Sequence, residues 1–146
     1  MSVQEILEEL HSTLHASRVT LRQRHAGGFF GVTHEVLGPA VPSVRDERTV
    51  DLRTNAVAQR ASGGEQIVQH DCEAVSDDPE FRRMLATYGG LAAQVVTPVL
   101  LSDRVEGLIS VHQLGKARRW TPDEVATCRD AADRVATELS GGEVSA

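Results

Sequence analysis

Apolar positions at helical spacing open the chain: Val3, Ile6, Leu7, Leu10 and Leu14 form one stripe reaching about Ala16. Ser2 and Glu5 stand three apart ahead of it, the spacing of a reciprocal N-terminal cap. From Ser17 to Arg24 the period changes to two. Val19 and Leu21 alternate with Arg18, Thr20, Arg22 and Arg24, which predicts a half-buried strand. Gly27-Gly28 reads as a turn, and Phe29 to Val36 as a strand pairing back. The stretch Leu37–Arg53 is punctuated by Gly38, Pro39 and Pro42 and reads as loop. A short helix around Asn55 to Ala61 follows, closed by Gly63-Gly64.

Ile67 to Gln69 predicts a brief strand leading into His70-Asp71-Cys72. Asp78-Pro79-Glu80 is a second helix start, with a capping carboxylate, a proline in the first turn and an acid suited to the dipole. That helix ends at Gly89-Gly90. Ala93 to Leu101, Ser102-Asp103-Arg104 and Val105 to Gln113 predict a hairpin. Thr121 and Glu124 repeat the reciprocal cap, and Val125, Cys128, Ala132, Val135 and Leu139 form a narrow seam on a last helix. The alternation of helices and antiparallel strands predicts an α+β domain over residues 1–140, with 141–146 a disordered tail. The terminal helices belong on one face of a central antiparallel sheet.

The run Val95 to His112, an apolar strand with Pro98, an acidic turn at Asp103 and a strand containing Gly107, resembles the GAF domain family. So does Trp120-Thr121-Pro122-Asp123-Glu124 at the last helix start. The resemblance extends over most of the chain. It implies a small sensory module with a ligand pocket between the sheet and its roof of loops and short helices, on the face away from the terminal helices. Bilin-binding, cyclic-nucleotide-binding and methionine-sulfoxide-reducing members carry signatures that this sequence lacks. His70-Asp71-Cys72 does not resemble the bilin-anchoring Cys-His pair, and Cys72 and Cys128 are the chain's two cysteines.

Candidate chemistry follows from that pocket. On the strand ending at Gln113, Leu108, Ser110 and His112 share one face, while Ile109 and Val111 share the other. The aliphatic face suits the helices, so Ser110 and His112 are expected toward the pocket. His70, with Asp71 beside it, is the candidate metal ligand on the roof, where one imidazole could hold haem b. Size, fold and a single histidine are also similar to small haem lyases of the N-nitroglycine-degrading type. That likeness implies an alternative function, a haem-dependent lyase acting on a nitro or nitramine compound. His11, His15, His25 and His34 read as surface residues. Arg22, Arg24, Arg45, Arg48 and Arg53 offer a carboxylate or nitro clamp if one turns inward.

Charge narrows the partners. Fifteen basic against 21 acidic residues give −6, which argues against nucleic acid or an anionic membrane. Five aromatics are too few for a base-stacking platform. No segment has the length of a membrane span and the N-terminus is no signal peptide, so a cytoplasmic location is expected. The two narrow apolar helix stripes predict a homodimer through the terminal helices, completing a four-helix bundle. A non-ligand interaction module working through those helices is the third reading.

Overall fold

The computed structural model describes residues 1–25, 30–47 and 55–144. A five-stranded antiparallel sheet has the order β2-β1-β5-β4-β3, built from β1 (Arg18–Arg24), β2 (Phe30–Leu37), β3 (Ile67–Gln69), β4 (Leu91–Leu101) and β5 (Arg104–Leu114). The hairpin predicted between β4 and β5 forms. Ser102 (φ 51°) and Asp103 (φ 65°) both adopt left-handed conformations, as the tightest hairpin turns require. The turn expected at Gly27-Gly28 lies outside the described residues.

Helices α1 (Val3–Leu14) and α4 (Pro122–Val144) cover one face. Both reciprocal caps form: the Ser2 hydroxyl accepts from the Glu5 amide at 3.1 Å and the Thr121 hydroxyl from the Glu124 amide at 3.1 Å, while each glutamate accepts from its cap residue's amide. α4 continues through Gly141 and Gly142 to Val144, beyond the point where the glycines predicted fraying. No helix among the described residues is long and apolar enough to cross a membrane.

The layer between sheet and terminal helices is almost wholly aliphatic. Val19, Leu21, Val95, Ile109 and Val111 meet Leu7, Leu10 and Leu14 from α1 and Cys128, Ala132 and Val135 from α4. Within one chain Leu7 (0% exposed) and Leu10 (2%) are already covered, while Val3 and Leu139 on the two helix stripes keep partial exposure.

On the opposite face, α2 (Ala56–Ser62), a 3-10 turn at Cys72–Ala74 and α3 (Pro79–Thr87) form the roof. Asn55 caps α2 by accepting from the Ala58 amide, and Asp78 caps α3 by accepting from that of Glu80. Two smaller apolar clusters hold this roof down. Phe30, Ala61, Ile67 and Leu108 form one; Val44, Cys72, Met84, Leu85 and Leu91 belong to the other.

Candidate functional site

Strand alternation decides what the roofed face presents. Leu108, Ser110 and His112 of β5 lie beside Gln94 and Val96 of β4 and Arg22 of β1. Together they floor a cavity of about 40 Å³, roofed by Asn55, Val57 and Ala58 at α2 and by Met84 and Tyr88 at α3. That volume holds a few waters or the head of a small molecule. A second, broader cleft of about 450 Å³ shares Asn55, Val57 and Met84 with the first and extends to Gln69, Val75 and Phe81, with Arg60, Arg83, Asp78 and Glu80 around it. The sequence-predicted Ser110 and His112 therefore stand in the wall of a cavity.

His112 is 3% exposed and built into a polar network. Its Nδ1 accepts from the Arg18 Nε–H at 3.0 Å, which leaves the ring proton on Nε2. Burial, then the charges of Arg18 and Arg22, hold its pKa well below the ordinary 6.5, so the ring is a neutral donor at physiological pH. Tyr88 stacks on it with centroids 5.7 Å apart.

Arg18 lies behind the ring, fully buried. Besides His112, its guanidinium donates to the carbonyls of Pro42 and Tyr88, both at 2.8 Å. Gly89 (φ 86°) and Gly90 (φ 83°) end α3 with left-handed turns right after that second carbonyl. A Cβ on Gly89 would stand 2.8 Å from the Pro42 ring. Desolvation lowers the Arg18 pKa to about 10, against the opposing pull of Glu35, and the group stays cationic at neutral pH. Arg22, on the same strand face, donates to the Phe30 carbonyl at 3.1 Å and the Tyr88 hydroxyl at 3.2 Å.

The roof candidates stand elsewhere. His70 is exposed and lines neither cavity. Its Nδ1 accepts from the Trp120 amide at 3.0 Å and its carbonyl accepts from the Arg118 amide at 3.0 Å, so it ties β3 to the segment entering α4. Asp71 is exposed and lines neither cavity. The strand end is legible in the sequence, but the contact that orients the His70 ring spans fifty residues of chain. Of the arginine candidates, Arg22 turns inward. Arg24 stacks its guanidinium 4.9 Å from the Phe30 ring centroid, Arg45 is exposed, and Arg48 and Arg53 lie outside the described residues.

The fit to a tetrapyrrole can be tested on these atoms. Haem needs a histidine lone pair facing the space. In His112 and His70 alike the Nδ1 lone pair is committed to an N–H donor and Nε2 carries the proton. No histidine or cysteine lines the broader cleft, and no cluster of metal-ligating side chains occurs among the described residues. A covalently held bilin needs a reachable thiol. Cys72 is buried with its thiol donating to Gln69 Oε1, and desolvation followed by Asp71 pushes its pKa up to about 12. Cys128 is buried on the sheet-facing side of α4, its thiol also pushed up to about 12, chiefly by burial. The residues present fit neither haem nor an anchored bilin.

Sequence reasoning missed Arg18, Tyr88 and Gln94. A signal for Arg18 did exist: four polar side chains on one face of a strand whose both neighbours are strands.

Comparison with known proteins agrees with this architecture. A family model for the GAF domain matches residues 2–139. The circadian input-output histidine kinase CikA of Thermosynechococcus vestitus is 30% identical over 67 residues, 46% of this chain and 9% of that protein. The match thus spans a small part of that relative's length. The blue-light-absorbing form of the Thermosynechococcus elongatus PixJ GAF domain superposes with a TM-score of 0.85 at 19% identity, covering 97% of this chain and 84% of that one. The photoproduct state of a GAF domain from Synechocystis gives 0.84 at 17%, covering 97% and 93%. A far-red-absorbing dark state with bound biliverdin gives 0.80 at 16%, covering 94% and 86%. These likenesses show the fold.

Proposed function

The chain belongs to the GAF domain family, and we propose that it works there as a sensory module that binds a small molecule reversibly and without covalent attachment. The observation that carries the reading is the contrast between the two faces of the sheet. The helix side is packed solid with aliphatic residues, whereas the roofed side sets Arg22, Gln94, Ser110 and His112 around a cavity that opens beside a ligand-sized cleft. The similarity in fold to a GAF domain with bound biliverdin supports a ligand-binding role. The chain's own thiols and histidines favour one held by hydrogen bonds and packing.

The alternation of β5 gives such binding a route outward. Ser110 and His112 face the cavity, and their neighbours Ile109 and Val111 face α1 and α4. A ligand contact is one residue from the helix layer.

The test is a thermal-shift screen of a small-metabolite library, repeated on Ala58→Trp, which fills the space under α2. Hits that raise Tm in the wild type and fail on the folded variant are expected, and denaturing mass spectrometry should return the bare 15.8 kDa chain. Hits indifferent to the variant, or a covalent adduct, would refute the reading.

A further inference from the structure

We propose that the ligand is a small organic carboxylate with an apolar body, its anionic head held by Arg22 and the Nε2–H of His112. The inference rests on the ligand-binding reading above and adds the ligand's charge and shape.

Two guanidiniums lie four residues apart on one face of β1, Arg18 at 0% exposure and Arg22 at 4%. Among the described residues every direct partner of either is neutral: an imidazole nitrogen, three backbone carbonyls and a phenol. Glu35 is the carboxylate that Arg18 feels, but it is committed to the 43–44 loop, accepting from the Ser43 hydroxyl at 2.6 Å and the Val44 amide at 2.8 Å. Among the described residues no aspartate or glutamate lines the smaller cavity. A buried cation without a directly bonded counterion is costly, and an anion drawn in beside it recovers that cost. Thr20 lies between the two arginines on the same face, fully buried, and its hydroxyl has no partner among the described residues. Among the described residues, protein groups alone do not use up the hydrogen-bonding capacity of this strand face.

The same atoms set polarity and size. Arg22 is cationic, and the neutral His112 offers Nε2–H as a donor because Arg18 occupies Nδ1. Guanidinium N–H groups match a planar carboxylate. Among the described residues one arginine, Arg22, lines the cavity, which matches a monoanionic head; a phosphate would bring nearly two charges and three acceptor oxygens. Val57, Ala58, Met84, Val96 and Leu108 close the rest of the wall and call for a hydrocarbon body.

Isothermal titration of the whole chain with matched pairs tests this: isovalerate against isovaleramide, hexanoate against hexanamide, benzoate against benzamide, with inorganic phosphate as a further arm. At least one acid should bind about tenfold or more tightly than its amide, the scale of one charged hydrogen bond. Arg22→Gln should erase that preference and Arg22→Lys should keep part of it. If Arg22→Gln fails to fold, the wild-type acid-to-amide ratio and Arg22→Lys still decide. Amides binding as well as acids, or phosphate binding in place of every acid, would overturn the carboxylate and leave the ligand-binding reading standing. No binding by any acid would also overturn it. The broader reading falls as well only if the library screen is blank.

Discussion

His112 makes protein stability report on protonation in a way that one substitution can isolate. In the folded chain the imidazole is held neutral by burial and by the nearby charges of Arg18 and Arg22; in the unfolded chain it titrates near 6.5. Below that pH the unfolded state binds a proton that the native state refuses. Stability is therefore fully present above about pH 6.5 and is lost as pH falls toward the depressed native pKa. Between pH 6 and pH 5 the unfolded ring is on average close to fully protonated. One proton over one pH unit corresponds to about 1.4 kcal/mol, so His112 should remove about 1 kcal/mol across that interval.

His112→Gln deletes the titration and keeps an acceptor for the Arg18 Nε–H. Urea denaturation of both proteins from pH 7.5 to pH 5 reads the difference. His34, whose pKa is also lowered by burial and by Arg45, contributes equally to both curves and cancels. The variant's stability should fall less steeply by about 1 kcal/mol between pH 6 and pH 5. Parallel curves would mean that the native ring titrates normally, and the tautomer assigned from the Arg18 contact would be wrong.

Val111→Asp puts a carboxylate into the aliphatic layer under α1 and α4 and should cost about 3–5 kcal/mol, whereas Ser110→Ala on the other face should stay folded; thermal melts compare them. Leu7→Glu should unfold the chain rather than release a folded monomer, as circular dichroism with size exclusion would show. Cys72 and Cys128 should resist a thiol reagent at pH 8 in the native protein and react only in denaturant, both thiols being buried and pushed up to about 12. His70→Ala should lose about 1 kcal/mol through the Trp120 amide it leaves unpaired, with cavity ligands binding unchanged.

What was legible in the sequence was local or periodic. Reciprocal caps at Ser2 and Thr121 need only three residues each, and the β4–β5 hairpin needs one turn. The two faces of β5 followed from alternation, because Ile109 and Val111 are aliphatic where Ser110 and His112 are not. Arg18 and Arg22 were harder. Alternating arginines on β1 read as the solvated side of a half-buried strand, yet β1 lies between β2 and β5 with the roof above it. Which polar face becomes buried depends on α3 and the 42–44 loop, segments far along the chain that carry no mark of where they dock. The place of His70 was hidden for the same reason, since Trp120 orients its ring from the far end of the fold.

The departures from ordinary core composition gather on one side. Of the eight buried polar residues among those described, Arg18, Thr20, Arg22, Gln94, Ser110 and His112 stand on the roofed face of three adjacent strands, Gln69 lies on β3, and Thr97 shares the face of Val95 and Val99. A chain selected for stability alone would gain by replacing Arg18 with a methionine or leucine and removing the acceptors that satisfy it, because buried charges rarely stabilise relative to well-packed apolar residues. The helix-side layer, on the opposite face of the same strands, follows that apolar rule almost without exception. Two faces of one sheet thus obey different rules, and a structural cause common to both would not separate them. The ligand proposed for the roofed side accounts for that separation, and Arg22 at the cavity gives the proposal its sign.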